Sequence, residues 1–107
     1  MPYLVVTSLY PSDKAPEVAK KYLEALSKYP QDENLATRLV PGAVKSTLQG
    51  IQVMGISEVK QGKLEEAITY TSNFLTMFLS IQGYESTTEV YMKAEEALGL
   101  LGMSLPG

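Results

Sequence analysis

Residues 44–59 have the sequence VKSTLQGIQVMGISEV, and this segment predicts a β-hairpin. Leu48-Gln49-Gly50 is typical of a tight turn between two strands. The first strand is predicted over 37–48 with an interruption at Pro41-Gly42, because proline within a strand requires an edge, a bulge or a break. The second strand is predicted over 51–59. This segment therefore predicts a pair of antiparallel strands.

Further strands and helices are predicted on both sides of the hairpin. The strands are rich in β-branched and aromatic residues, and the helices have apolar residues at helical spacing. The predicted elements are a strand over 3–9, a helix that starts near Pro16 and ends at Pro30, a helix over 63–82, a strand over 85–92 and a helix over 94–101. The chain therefore has the order β-α-β-β-α-β, followed by a short helix.

This order predicts an α+β fold of the ferredoxin-like type in a single domain over residues 1–107. Its sheet would have four antiparallel strands with two helices on one face. The strands carry apolar residues on both faces, with Tyr3 and Val5 on one side of the first strand and Leu4 and Val6 on the other. Because a large uncovered apolar face favours association, the sequence predicts a homodimer in which two sheets pack face to face.

Three segments carry a resemblance to a known superfamily: the opening strand over 3–8, the hairpin over 44–59 and the end over 89–98. The chain resembles the dimeric α/β-barrel superfamily, which includes antibiotic-biosynthesis monooxygenase-like, EthD-like, YCII-like and stress-responsive barrel proteins. The resemblance covers nearly the whole chain. It implies a homodimer, often with a small-molecule cavity between each sheet and its helices. Enzymatic members often use His, Trp or Asn in that cavity.

Composition excludes several kinds of chemistry. The chain has no His, Cys or Trp, so thiolate nucleophiles, histidine-based triads, haem ligation by histidine and cysteine-based metal sites are excluded. We expect no cofactor and no metal site. The net charge is −3 and Arg38 is the only arginine, which disfavours nucleic-acid binding. No apolar stretch reaches the ~20 residues of a membrane span. The start of the chain does not resemble a signal peptide, and we expect a cytoplasmic protein without membrane attachment.

Two sets of candidate contact residues follow from these patterns. The chain has seven tyrosines, which favour either a ligand pocket with phenol donors or the edge of the core and a subunit interface. The candidate ligand-binding residues are Tyr3, Arg38, Lys45, Glu89 and Tyr91. The candidate contacts for assembly beyond a dimer are Tyr70, Phe74, Met77 and Leu79 on the second helix. No catalytic residue is predicted.

Two local motifs have structural interpretations. Glu65-Glu66 and Glu95-Glu96 could serve as carboxylate sites, but both pairs fall where helices are predicted to begin, where negative charge is favourable. Gly62-Lys63 lacks the glycine and the Ser or Thr of a phosphate-binding loop. Both motifs are therefore interpreted as helix starts.

Two functions remain open from the sequence. The first is a non-enzymatic homo-oligomeric protein of the dimeric α/β-barrel type, structural or accessory, whose partner is itself. The alternative is a cofactor-free protein that binds a small apolar molecule, or an enzyme of monooxygenase or cyclase type, with a pocket between sheet and helices. The composition favours a protein without catalytic activity. A cavity of a few hundred Å³ with convergent polar groups would favour the alternative.

Overall fold

Four strands form one antiparallel sheet in the computed structural model, which describes residues 1–106. The strands lie in the order β2-β3-β1-β4. The elements along the chain are β1 (Tyr3–Tyr10), α1 (Ala15–Lys28), β2 (Ala36–Thr47), β3 (Gly50–Val59), α2 (Leu64–Thr76), β4 (Glu85–Tyr91) and α3 (Ala94–Leu100), with a short 3₁₀ turn at Ser12–Lys14. The prediction of an α+β chain with a four-stranded antiparallel sheet is confirmed, and the arrangement is compatible with a ferredoxin-like fold.

The hairpin of β2 and β3 has the predicted turn and the predicted interruption. The Thr47 hydroxyl donates a hydrogen bond to the Gly50 carbonyl oxygen at 2.7 Å, which closes the turn. Gly50 has a φ of 137°, and a Cβ at this position would lie 2.3 Å from the Tyr10 carbonyl oxygen. The register of β2 on β3 shifts on both sides of Val40, because Pro41 cannot donate a hydrogen bond to a regular ladder.

The core lies between one face of the sheet and the helices α1 and α2. Side chains alternate along a strand, so the buried Leu4 and Tyr10 place the even-numbered residues of β1 on this helix-facing side. One cluster near Tyr10 joins α1 to the end of α2, and a second near Leu4 and Val59 joins the start of α2 to the sheet. The buried apolar residues are Leu4, Tyr10, Val18, Ala25, Val59, Ala67, Phe78 and Ile81.

The second helix is shorter than predicted. It ends at Thr76 instead of near residue 82, and the chain continues in tight turns whose amides bond three residues back, as from Phe78 N–H to the Leu75 carbonyl at 3.0 Å. These turns bury Phe78 and Ile81 under the sheet. Gly83 then reverses the chain at a φ of 83°. Packing of these two side chains therefore outweighs the helical periodicity of the sequence.

The second face of the sheet, which points away from α1 and α2, is more exposed than the helix-facing side. Met54 and Tyr91 are exposed there, and Val5 and Leu9 are only half-buried. The molecule is correspondingly extended, with a radius of gyration of 15.6 Å against about 13 Å for a compact chain of this length. Within residues 1–106, no helix has both the length and the apolar run that crossing a bilayer requires.

Candidate functional site

A cavity of about 470 Å³ lies between the helix-facing side of the sheet and the helices α1 and α2. Its floor includes Val6 of β1, and Phe74 and Phe78 from the α2 side line it from above. The cavity exists because small residues surround Val6: Gly55 is its direct partner on β3, and Ser8 and Ser57 lie close by on the same face. Without larger side chains at these positions, the helices cannot fill the space above the sheet centre.

One end of the cavity is formed by stacked aromatic rings. The rings of Phe78 and Tyr84 stack with their centroids 4.9 Å apart, and Tyr10 stacks on Tyr84 at 6.0 Å. The Tyr84 hydroxyl donates to the Ser8 hydroxyl oxygen at 2.8 Å. Burial raises the pKa of Tyr84 above its ordinary value, although the Ser8 hydrogen bond partly offsets the shift. Tyr84 is therefore a neutral phenol at physiological pH.

The opposite end carries Arg38 and a pair of tyrosines. Tyr70 packs edge-on against Tyr29 with centroids 5.8 Å apart, and its hydroxyl donates to the Pro30 carbonyl. Loss of solvent raises the pKa of Tyr70, with smaller contributions from Asp32 and Tyr29, while Arg38 lowers it. Arg38 is the only charged side chain among the residues that line the cavity. This end of the cavity is therefore polar and positively charged.

The structure brings only Arg38 of the five predicted ligand-binding residues to the cavity. Tyr3 pairs with Tyr91 across β1 and β4, and Val5 pairs with Glu89. Because side chains alternate along a strand, Tyr3, Glu89 and Tyr91 lie on the face of the sheet away from the helices. Lys45 of β2 lies on that second face too, since its neighbour Val44 lines the cavity. The five residues thus form no single site.

The residues predicted to mediate further assembly also divide into two groups. Phe74 and Met77 pack against the core of the same subunit, with Phe74 edge-on to Tyr22 of α1 at 6.1 Å. Tyr70 is engaged with Tyr29, as described above. Leu79 alone of the four is largely exposed, at 78%. Phe74 and Tyr70 therefore contact the α1 side through Tyr22 and Tyr29, and Met77 packs on the core.

A charged cluster connects α3 to the second face of the sheet. The Lys93 amino group lies 2.6 Å from Glu58 and 3.2 Å from Glu95, and 5.7 Å from the centre of the Tyr3 ring. The hydrogen bond from Lys93 lowers the pKa of Glu58 and raises that of Lys93. Glu96 accepts from the Lys93 backbone N–H at 2.9 Å. This cluster attaches the start of α3 to the sheet. Glu96 lies in the first turn of α3, where the sequence predicted a helix start.

Sequence reasoning missed three residues that shape the cavity: Ser8, Gly55 and Tyr84. A serine within the mainly apolar strand 3–10 was a usable signal, because a buried hydroxyl requires a hydrogen-bond partner. No local signal marks Gly55, since its importance comes from its pairing with Val6. Within residues 1–106, no group of three or more acidic side chains is placed to hold a metal ion.

Comparison with known proteins adds no assignment to this geometry. No protein-family model matches the chain, and neither a curated protein nor a solved structure matches it significantly.

Proposed function

We propose that the protein binds a small, mostly apolar molecule in the cavity between the sheet and helices α1 and α2. The cavity itself carries this proposal. Its volume of about 470 Å³ lies within the range of about 300–1,000 Å³ that is usual for small-molecule sites. Its lining is apolar over the floor and walls, with a few polar groups at the ends. That combination of apolar surface and isolated polar groups is typical of ligand pockets.

The protonation of the lining residues supports binding in preference to base catalysis. The pKa values of both Tyr70 and Tyr84 are raised, so neither phenol is ionised near neutral pH. Arg38 stays protonated in proteins and cannot accept a proton. The titratable lining groups therefore suit hydrogen bonding to a ligand more than proton abstraction from it.

Calorimetric titration with 2-naphthamide, a flat and uncharged probe, tests this proposal. We expect the wild-type protein to bind it and Val6→Phe to lose binding by at least tenfold, because the new ring occupies the cavity. Leu48→Phe is the matched control, since Leu48 is fully exposed at the hairpin turn, and its binding should equal that of the wild type. Absence of binding to the wild type by both 2-naphthamide and its anionic analogue 2-naphthoate, or unchanged binding to Val6→Phe, would overturn the proposal.

A second proposal concerns quaternary structure, and the second face of the sheet favours it. We propose that two copies pack sheet to sheet as a ferredoxin-like dimeric α/β barrel, in a homo-oligomer with a structural or accessory role. The exposed Met54 and Tyr91 and the half-buried Val5 and Leu9 on that face support a second copy as the occupant.

The area available on the subunit supports this pairing when α3 takes part. The four strands have 7 to 12 residues each, and together they cover a projected area of roughly 600 Å². A stable interface needs about 800 Å² from each partner. Leu100 and Leu101 at the end of α3 are 76% and 75% exposed, and they provide further apolar surface. We therefore expect α3 to contact the second copy together with the sheet.

Light scattering over a concentration series tests the dimer. We expect the mass of a dimer for the wild type, a monomer for Met54→Lys, and a dimer for the matched control Leu48→Lys. Assembly beyond a dimer would depend on the exposed Leu79, so Leu79→Lys should return any larger species to the dimer. A wild-type protein that stays monomeric at all concentrations would contradict this second proposal without affecting the ligand-binding one.

A further inference from the structure

We propose that the ligand of the cavity is a monocarboxylate with an apolar body, and that Arg38 binds its carboxylate group. This inference rests on the proposed ligand-binding function and adds the chemical class of the ligand. Arg38 is the single charged side chain of the lining. An apolar cavity with one cation at its end matches a molecule that has one negative charge at its end.

Arg38 has unused hydrogen-bonding capacity in the described part of the chain. Among residues 1–106 it has no ion pair within 4.0 Å, because all the ion pairs found involve lysines or the terminal amine. The guanidinium group has five N–H donors in a planar fork that fits a carboxylate. Arg38 is only partly exposed. Water would therefore screen the attraction between its guanidinium group and a bound anion less than at an open surface.

Asp32 is an acidic residue near Arg38, but it forms no ion pair with Arg38 within 4.0 Å in residues 1–106. It lines an adjoining recess of about 70 Å³ together with Arg38 and Ser57. Its carboxylate accepts a hydrogen bond from the Asn34 backbone N–H at 2.9 Å. No ion pair joins it to Arg38 in residues 1–106. The fork of Arg38 is thus available to a ligand.

The strand register orients the ligand. Arg38 pairs with Ser57, which pairs with Leu4, so all three lie at the Leu4 end of the cavity. The lining continues along β1 to Tyr10, a distance of about 20 Å at ~3.3 Å per residue. That second end consists of the stacked rings of Phe78 and Tyr84. The carboxylate would therefore lie beside Arg38 and Ser57, with the apolar body directed toward the aromatic end.

The charge of the cavity distinguishes a carboxylate from other groups. A phosphate monoester carries nearly two negative charges, and one arginine would leave part of this charge unpaired in apolar surroundings. A cationic ligand would be repelled by Arg38. A neutral ligand would leave the donors of Arg38 without a partner, at a cost in affinity. A single carboxylate satisfies the guanidinium fork and leaves no charge over.

A pair of probes of the same shape tests the inference: 2-naphthoate, which is anionic, and 2-naphthamide, which is neutral. Calorimetric titration at pH 7 should show that the wild type binds 2-naphthoate at least tenfold more tightly, as charge-assisted hydrogen bonds imply. Arg38→Gln should reduce this preference to near unity, and Arg38→Lys should restore part of it. Lys45→Gln is the matched control, because it removes one positive charge from the same strand on the opposite face.

The outcomes distinguish failure of the carboxylate inference from failure of the ligand-binding function. If both probes bind the wild type equally, or if the preference persists in Arg38→Gln, the carboxylate inference fails while the ligand-binding function stands. If Lys45→Gln loses the preference as fully as Arg38→Gln, the effect is one of overall charge and the inference fails too. If neither probe binds, the proposed function fails and the inference with it. Circular dichroism of each variant establishes that it is folded.

Discussion

Replacing Val6 by phenylalanine should stabilise the protein, although the same change usually destabilises a packed core. Val6 lies on the central strand β1 and is only half-buried, since the cavity lies above it. Its direct partner on β3 is Gly55, so an aromatic ring can extend over the glycine without meeting a side chain. This variant therefore measures whether the space above the sheet accepts an additional group.

The expected gain follows from apolar area. Phenylalanine buries about 60 Å² more apolar surface than valine, which corresponds to about 1.5 kcal/mol at ~25 cal/mol per Å². Loss of rotamer freedom reduces this to about 1 kcal/mol. The melting temperature should rise by about 4–8 °C. The same ring would block the ligand site, so stability should increase while binding is lost.

Val59→Phe is the matched control for this prediction. Val59 lies on the same face of the sheet but is fully buried, at 0% exposure, against Ala67 of α2. Enlarging a side chain in such a packed position costs about 1–3 kcal/mol. Urea unfolding at one fixed protein concentration measures both variants. If Val6→Phe is destabilised as much as Val59→Phe, the cavity offers no usable space and the reasoning is refuted.

Three further predictions concern the supports of the fold. Tyr84→Phe should lower the free energy of unfolding by about 1 kcal/mol, because the buried Ser8 hydroxyl loses its partner. In a protein that already carries Ser8→Ala, the same change at Tyr84 should cost much less in urea unfolding. If the effects of the two substitutions are additive, the contact between these residues is contradicted. The lowered pKa of Glu58 implies that its attachment to Lys93 is complete above the ordinary carboxyl pKa of about 4 and is lost as the pH falls below it; NMR signals of α3 should shift over that acidic range, and an identical titration in Glu58→Gln would refute this. Gly50→Ala should cost more than ~2 kcal/mol in thermal unfolding, because its Cβ would meet the Tyr10 carbonyl; a neutral effect would mean that the turn rearranges freely.

The bounds of a helix or strand could be predicted from the sequence where a residue at that position determines them. Proline at 30 ends α1, and the Pro41-Gly42 pair interrupts β2 near the observed register shifts, because a missing N–H acts at its own position. The end of α2 was not accessible in this way. Helical spacing continues to residue 82, but burial of Phe78 and Ile81 depends on the sheet beneath them.

The candidate ligand site was less predictable than the elements. Arg38 was identified from its residue type, as a charged side chain that could accompany the tyrosines in a ligand pocket. Tyr3, Lys45, Glu89 and Tyr91 were grouped with it because their faces could not be assigned, and a shift of one residue exchanges the two faces of a strand. The structure places these four on the second face, where they belong to the surface that we propose as the dimer interface.

Residue types and their spacing were enough to establish the strands, the helices and the chemistry that this chain lacks, because those properties depend on neighbours within a few positions. The cavity depends on contacts between distant segments. Val6 lies beside Gly55 and Ser57 only through the pairing of β1 with β3. The helices that cover these residues meet the sheet through side chains far apart in the chain. The void between the layers, and the arginine at its end, therefore arise from packing.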